Sequence, residues 1–319
     1  MVIKPGPKKM SITAPSQRPQ LTVLAAGLKG LVFVRGILEH GVIPHRVVTY
    51  AQSGEFSEAD REILQLCQQS NIKIDLDRSP KIENDNLVFL VGWQFLVDPG
   101  KSNCIVFHDS LLPSLRGFSP TVTAMIQGTQ MIGVSAIRPE ALPDVGEIYG
   151  TRSVEITPAI SIQTALELQA KATVDLALEI FERFAAGKLS GERQDEKAAT
   201  YSLWRDGFDY FIDWRRSAGE VLRLVRALGF PYEGAQAVMD SQIVVIREAS
   251  LGEDFRFAIR DPGKLWRVEG RRALVVCGSG TVWIEDARHK NGTPVHFGQL
   301  RKRFLTPDTA WIAPYLERK

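Results

Sequence analysis

The sequence predicts an α/β fold, in which an open, mostly parallel sheet is followed by a small, β-rich and barrel-like C-terminal domain. Two observations predict it. In the first half, short apolar segments alternate with amphipathic ones, which is the pattern of strands and helices that build a parallel sheet. Beyond residue 200, aromatic residues crowd together and short strand-like runs are separated by frequent turns, as in small β domains. The 319 residues suffice for two domains at roughly 100–200 residues each.

The first domain is predicted to span residues 21–190. It follows a leader at residues 1–20, which is predicted to be disordered because prolines interrupt any helix there. The unbroken apolar run at 87–91 is typical of a strand that is buried on both faces. The seven predicted strands of this domain are 22–26, 46–50, 72–76, 87–91, 103–107, 131–137 and 147–156.

Helix-starting signals follow several of these strands. Gly27 allows a tight turn from the first strand into a helix. Ser57 is a predicted N-cap because Asp60 stands three residues later. Ser161 is predicted to cap a long helix that ends near Gly187, and the apolar residues of that helix recur at close to four-residue spacing.

A polar and charged linker is predicted at residues 188–199, ahead of the C-terminal domain at 200–319. An aromatic cluster between residues 204 and 214 opens that domain. Packing between the domains is its favoured role, and a platform for stacking a base is the alternative. A predicted helix at 217–228 is accompanied by four short strands, at 235–238, 243–246, 274–276 and 282–284.

Composition excludes several classes of protein. The 39 basic and 37 acidic residues give a formal net charge of +2, whereas a nucleic-acid surface usually has a stronger basic bias. No apolar run approaches the roughly 20 residues that span a bilayer, so no membrane partner is expected, and the start lacks the apolar core of a secretory signal. Three scattered cysteines exclude a disulfide framework and a four-cysteine zinc site, and they fit a reducing, cytoplasmic environment.

The segment from His108 to Pro120 carries the chemical signal. His108 directly follows the fifth predicted strand, and ligands on open α/β sheets bind beyond the carboxyl ends of the strands. A histidine there is a candidate acid, base or hydrogen-bond donor. Asp144 lies in the loop between the sixth and seventh predicted strands. From the residues alone, a rim histidine bonded to backbone groups and a turn aspartate remain the favoured alternatives.

This segment resembles the signature of the folate-dependent formyltransferases, which include methionyl-tRNA formyltransferase, glycinamide ribonucleotide formyltransferase and the sugar N-formyltransferases. That signature is Asn-x-His-Gly-Ser-Leu-Leu-Pro, then Arg-Gly and a proline, then a Gly-Val-Thr strand and Asp-x-Gly. Most of these positions match here in order and spacing. The matching residues are His108, Ser110, Leu111, Leu112, Pro113, Arg116, Gly117, Pro120, Gly133, Val134, Ser135, Asp144 and Gly146.

The resemblance covers most of residues 21–240 and implies a Rossmann-like catalytic domain. Leu90–Trp93 is similar to a strand-end segment of the sugar-modifying branch. Phe211–Trp214 and Pro231–Ala235 are similar to the linker and C-terminal domain that methionyl-tRNA and sugar formyltransferases share.

The resemblance also implies the chemistry. An amine attacks the formyl carbon of 10-formyltetrahydrofolate without a metal; His108 stabilises the oxyanion, while Asp144 orients His108 and helps to relay the amine proton. Arg116 either contacts a substrate phosphate or braces its loop, and Trp93 is either a wall of the pterin pocket or plain core. The implied folate-binding residues are Trp93, Leu112, Pro113, Leu142 and Gly146, and the implied acceptor-binding residues are Ser110, Arg116, Gly117, Phe208 and Tyr210.

Two positions depart from the family signature. Val106 stands where the family has the asparagine that helps to stabilise the oxyanion, and Asp109 replaces the glycine after the histidine. Loss of one oxyanion donor typically costs about 2.7–4 kcal/mol of barrier. Some sugar formyltransferase-like proteins also carry an apolar residue at that point, so the substitution suggests a divergent branch. Ser110 projects to the same strand face as Val106 and His108 but belongs to the family pattern.

Sequence and resemblance together predict an N-formyltransferase whose favoured acceptor is the amino group of a nucleotide-linked sugar. Methionyl-tRNA is the alternative acceptor, and an amino acid or peptide is a further one. A non-catalytic folate or nucleotide-sugar binding protein is the alternative of a different class, because Val106 removes a catalytic donor. A homodimer is compatible with the sequence, which does not identify the oligomeric state.

Overall fold

The structure is a computed structural model. It describes residues 19–51, 56–82, 86–97, 103–298 and 301–306. Of the predicted leader, residues 1–18 lie outside the described residues. Within the described ranges, no helix is both long and apolar enough to cross a bilayer.

A seven-stranded sheet is the framework of the first half of the chain. The strands of this half are β1 (Leu21–Ala25), β2 (Arg46–Thr49), β3 (Lys73–Leu76), β4 (Leu87–Val91), β5 (Asn103–His108), β6 (Arg116–Gly117), β7 (Met131–Ile137) and β8 (Ile148–Glu155). All except β6 join one sheet in the order β3-β2-β1-β4-β5-β7-β8. The neighbouring strands β3, β2, β1, β4 and β5 pair in parallel, whereas β5–β7 and β7–β8 pair antiparallel. The predicted mostly parallel sheet is confirmed.

Among the described residues of this half, four helices accompany the sheet: α1 (Gly27–Glu39), α2 (Glu58–Gln69), α3 (Pro120–Gln127) and α4 (Ile162–Ala185). The predicted cap of α2 is a complete capping box, because Ser57 and Asp60 each accept a hydrogen bond from the other's backbone N–H. Ser161 caps α4 as predicted. The sequence did not predict α3. This helix begins at Pro120, a position where a backbone N–H would have no partner within the helix, so that proline is well tolerated.

The two faces of the sheet carry different cores. Helices α1, α2 and α4 cover one face, whose core includes Phe33 and Phe107. A smaller apolar cluster lies on the opposite face, with Trp93 and Val106 packed against it. Because successive strand residues project to opposite faces, His108 projects to the face of Val106 and away from these helices.

The described residues of the second half form an antiparallel sheet with one α-helix. Its elements are β9 (Tyr201–Ser202), α5 (Ala218–Ala227), β10 (Ala235–Met239), β11 (Gln242–Leu251), β12 (Leu265–Glu269), β13 (Arg272–Val276) and β14 (Thr281–His289). The sheet order is β10-β11-β14-β13-β12. Leu305 bridges to Val238 of β10, and Arg303 bridges to Lys264 beside β12. This short segment links the two edges of the sheet, which gives it the predicted barrel-like form.

One apolar core crosses between the two halves. It contains Val122 of α3 together with Trp214 and many residues of the second sheet. Trp214 is fully buried and stacks on Phe304 with ring centroids 5.0 Å apart. Phe211 is also buried, whereas Trp204 is exposed. The predicted packing role of the aromatic cluster therefore applies to part of it only.

The segment predicted as a linker, 188–199, runs back across the first domain. Ile148 and Glu192 exchange main-chain hydrogen bonds of 2.8 and 2.9 Å. Immediately after the segment, β9 pairs in parallel with β6. Because its backbone groups are bonded in this way, the segment is part of the packed surface of the first domain rather than a free tether.

Candidate active site

His108 is the last residue of β5, and its nearly buried imidazole lies at the carboxyl edge of the sheet. Its Nε2 is 3.0 Å from the carbonyl oxygen of Leu115. Its Nδ1 is 3.3 Å from Oδ1 of Asp144. Both ring nitrogens therefore face oxygen atoms that accept hydrogen bonds. Because a ring N–H can donate to either oxygen, these two contacts fix the orientation of the imidazole.

The loop between β7 and β8 aims the Asp144 carboxylate at His108. Asp144 has a left-handed backbone with φ +59°, which aspartate tolerates better than most residues. Its Oδ2 accepts a hydrogen bond of 2.9 Å from the Gly117 N–H. Gly146 is required two residues later, because a Cβ there would lie 1.8 Å from the Arg138 carbonyl oxygen. Asp144 is thus a turn residue whose turn directs its carboxylate to the imidazole.

Gln194 anchors this loop from the segment that was predicted as a linker. Its Nε2 donates to the carbonyl oxygens of Asp144 and Gly146, at 2.8 and 2.7 Å. Its Oε1 accepts from Nε and Nη2 of Arg116, at 3.1 and 2.8 Å. The sequence did not indicate this residue, because a single glutamine in a charged segment forms no motif.

Arg116 is buried, and its guanidinium is occupied by protein partners. In addition to Gln194, it donates to both carboxylate oxygens of Glu196 at 2.8 Å. The hydrogen bond between the two side chains raises the pKa of Arg116 and lowers that of Glu196. Of its two predicted roles, this geometry favours the loop brace, since a substrate phosphate would have to displace a charge-assisted pair. The predicted contact with substrate stays a prediction.

The turn after His108 is closed by two serines. Ser135 donates to the Ser110 carbonyl at 2.7 Å and accepts from the Leu112 N–H at 3.0 Å. Ser110 is buried, and its hydroxyl donates to the Ser114 carbonyl at 2.6 Å. The Ser110 hydroxyl is therefore engaged inside the turn, and its predicted contact with the acceptor stays a prediction. Leu112 is buried and Pro113 half-buried in the same turn.

An aromatic wall stands on the same sheet face as His108. The half-buried Trp93 ring meets Tyr50 edge-to-face at 4.9 Å and Phe95 at 6.2 Å. Within the described part of the chain, the buried Nε1 of Trp93 has no hydrogen-bond partner. Trp93 and Val106 both pack against the smaller apolar cluster on this face of the sheet. An aromatic surface with an available donor suits a planar ligand that carries acceptor atoms.

A strip of exposed apolar side chains borders Asp144. The pairing of β6 with β9 brings the strip together, and the Phe118 N–H donates to the Ser202 carbonyl at 3.0 Å. Its members, named here the exposed strip, are 62–76% exposed and are Phe118, Tyr201, Leu203 and Trp204. Large apolar side chains grouped beside a polar site are typical of a binding surface.

The remaining predicted site residues differ in their surroundings. Phe208 is partly exposed, whereas Tyr210 packs against the shared core and burial raises its pKa. Leu142 is exposed on the loop that leads to Asp144. Gly117 contributes its N–H to Asp144, and a Cβ there would lie 2.5 Å from the Ser202 carbonyl oxygen.

The three cysteines are free and buried. Burial raises the pKa of Cys67 to about 11 and that of Cys277 to about 12. A thiol with so high a pKa is a poor nucleophile at neutral pH. Among the residues that the structure describes, no group of three or more His, Cys, Asp and Glu could hold a metal ion.

Two family models match the chain. The model described as formyl transferase matches residues 39–176, and the model described as formyl transferase, C-terminal domain, matches residues 208–304. The protein therefore belongs to the formyl transferase family and carries both domains. Members of this family are enzymes that transfer formyl groups.

Among its sequence relatives is a methionyl-tRNA formyltransferase from Geobacter metallireducens. The two are 30% identical over 212 residues, which cover 64% of this chain and 65% of the relative. The matched region thus spans slightly less than two thirds of that relative.

Two solved structures share the fold. An N-formyltransferase from Helicobacter canadensis, in complex with folinic acid and dTDP-3-aminofucose, has a TM-score of 0.65 at 13% identity, covering 83% of this chain and 98% of its own. HypX from Aquifex aeolicus has a TM-score of 0.60 at 15% identity, covering 93% of this chain and 48% of its own.

Proposed function

We propose that this protein transfers a formyl group from 10-formyltetrahydrofolate to a primary amine. The observation that carries the proposal is the contact of His108 with Asp144, 3.3 Å at the carboxyl edge of β5, where the family signature has its histidine and aspartate. When bound, the folate supplies an electrophilic formyl carbon. The residues of the chain have to orient the imidazole, handle the proton of the attacking amine and exclude water.

The described residues fit a reduced folate. The ring of Trp93, braced by Tyr50 and Phe95, offers an apolar face to a pterin. The buried Nε1 of Trp93 offers a donor for a pterin carbonyl or ring nitrogen. Val106 and the exposed Leu142 add apolar contacts near His108 and Asp144 respectively.

His108 and Asp144 have different roles in handling protons during the reaction. In the free protein, the N–H at Nε2 of His108 faces the Leu115 carbonyl. Once the ring turns away from that carbonyl, this N–H is available to an oxygen atom that gains negative charge in the reaction. Asp144 faces Nδ1 and stabilises the ring while it is positively charged. Because the Gly117 N–H and Gln194 fix the loop, the Asp144 carboxylate stays in place while the imidazole ring turns.

The favoured acceptor is the amino group of a nucleotide-linked sugar. The exposed strip supports this choice, because aromatic faces beside Asp144 suit the stacking of a base. The likeness in fold to the Helicobacter canadensis protein, whose structure holds dTDP-3-aminofucose, points in the same direction.

Methionyl-tRNA is the second candidate acceptor. The observation in its favour is the 30% identity to a methionyl-tRNA formyltransferase. Binding of tRNA depends on many phosphate contacts by lysine and arginine. A formal net charge of +2 for the whole chain gives weak support to such a surface.

Salt dependence separates the two acceptors. With a nucleotide-linked sugar, we expect kcat/KM to change little between about 50 and 200 mM salt, because few charges meet. With tRNA, the same change in salt lowers affinity by roughly a thousandfold. Folate binding measured at each salt concentration is the control. A fall of that size, or formylation of charged initiator tRNA, would transfer the proposal to the second candidate.

Val106→Asn tests the position of the missing oxyanion donor. We expect activity to fall, because the partly buried Val106 packs against an apolar cluster, and an amide that loses its partners on burial costs about 1–3 kcal/mol. Val106→Ile, which keeps the site apolar, is the control and should retain most of the activity. Steady-state kcat and KM of both variants decide the matter. A gain of activity in Val106→Asn would mean that the site lost a useful donor instead of repacking around valine.

A further inference from the structure

Lys29 occupies an unusual place for a cation. It lies in the first turn of α1, where the helix dipole disfavours positive charge. That turn contains no acidic residue of its own, and the carboxylate at this helix end is Asp60 of α2, which accepts from the Gly27 N–H at 2.9 Å. Its Nζ is 3.0 Å from the carbonyl oxygen of Phe107 and 2.5 Å from Oδ1 of Asp109. These partners are the residues immediately before and after His108. The ammonium thus contacts the chain on both sides of the imidazole-bearing residue.

The pair of Lys29 and Asp109 is largely removed from water, with side chains 18% and 27% exposed. It adjoins a cavity between α1, α4 and the loop at Pro231, whose apolar walls include Leu28, Val32, Leu166 and Ala170. In such surroundings the cost of desolvation offsets much of the attraction between the charges. The pair is therefore a weak source of stability, and its location is the more informative property.

A second residue holds the same stretch of main chain. Gln169 of α4 donates through Nε2 to the carbonyls of Asp109 and Gly133, at 3.0 and 2.5 Å. Its Oε1 accepts from the Thr121 hydroxyl at 2.8 Å. The backbone around His108 is thus fixed from the helix-covered face of the sheet, while the imidazole projects to the other face.

We propose that Lys29 is a positioning residue for His108. By holding the Phe107 carbonyl and the Asp109 carboxylate, its ammonium fixes the peptide units that flank His108 and keeps the imidazole in contact with Asp144. A misplacement of about 1 Å in a catalytic group can lower the rate by about 10²-fold. This inference rests on the proposed function for the role of His108, although the geometry of the imidazole can be measured without it.

The test compares Lys29→Met with a matched control, Arg46→Met. Arg46 pairs with Asp75 at 2.6 Å, with exposures of 16% and 30%, and joins β2 to β3 away from His108. We expect Lys29→Met to lower kcat by about 10²-fold with little change in KM for folate. It should also shift the imidazole ¹⁵N resonances of His108 at fixed pH. Arg46→Met should leave both unchanged, and Lys29→Arg should retain most of the activity.

Unchanged kcat and unchanged His108 resonances in Lys29→Met would overturn the proposal. If that variant does not fold, Asp109→Asn keeps the side-chain shape while removing the charge, and about a tenfold loss of kcat with the same change of resonances is expected. Unchanged values in that variant would equally overturn it. Because the resonances need no acceptor, a wild-type protein that transfers no formyl group but shows the shift in Lys29→Met would contradict the proposed function alone.

Discussion

Replacing His108 with alanine is expected to lower kcat by about 10²–10⁴-fold, which is the range for loss of a positioned acid or base. The change removes the ring that faces both the Leu115 carbonyl and the Asp144 carboxylate. Folate affinity should stay nearly unchanged, because the aromatic wall around Trp93 is left intact. Steady-state kinetics and a folate titration of the same preparation measure the two effects separately.

His40→Ala is the matched control for this change. His40 is an exposed histidine at the C-terminal end of α1, and its Nδ1 contacts the Gly36 carbonyl at 2.8 Å. The same truncation there should leave kcat at the wild-type value. Wild-type turnover in His108→Ala would contradict the assignment of this histidine.

Asp144→Asn should lower kcat by about 10- to 150-fold, the kinetic equivalent of losing a charge-assisted hydrogen bond of about 1.5–3 kcal/mol. Asparagine suits the left-handed backbone at this position, and its side-chain oxygen can still accept from the Gly117 N–H. The fold should therefore persist, with Tm close to that of the wild type. What is lost is the negative charge beside Nδ1 of His108.

Asp240→Asn provides the same chemical change on a similar backbone. Asp240 has φ +51° and lies exposed between β10 and β11, where it pairs with Lys302 at 2.7 Å. Its activity should equal that of the wild type. If both asparagine variants keep full activity, or if a liganded structure separates His108 from Asp144 by more than one water, the pairing has no catalytic role.

Local signals in the sequence predicted most of the regular structure. Ser57 with Asp60 predicted the start of α2, and the unbroken apolar run of β4 predicted a buried strand. Strand β12 was missed because it lies at a sheet edge with one buried residue, Leu265, and so lacks an apolar run. The resemblance to a family supplied His108 and Asp144 as a pair, since no local pattern states that β5 and the β7–β8 loop meet.

The rest of the site could not be predicted from the sequence, because it depends on contacts between segments that are distant along the chain. Arg116 was predicted with two roles because its sequence neighbours do not show that Gln194 and Glu196 fold back onto it. Lys29 could not be related to His108 from sequence, because their contact depends on how α1 packs against the end of β5. The role of each of these residues depends on a contact with a partner that is distant in the sequence.

The most direct test of the proposed function is release of tetrahydrofolate from 10-formyltetrahydrofolate in the presence of a panel of amines. The panel contains nucleotide-linked amino sugars, charged initiator methionyl-tRNA, amino acids and peptides. The proposed function predicts acceptor-dependent release, greatest with a nucleotide-linked amino sugar and lost in His108→Ala. A wild-type protein that binds folate but releases no tetrahydrofolate with any of these amines, while Val106→Asn gains activity, would contradict it and would indicate a non-catalytic binding protein.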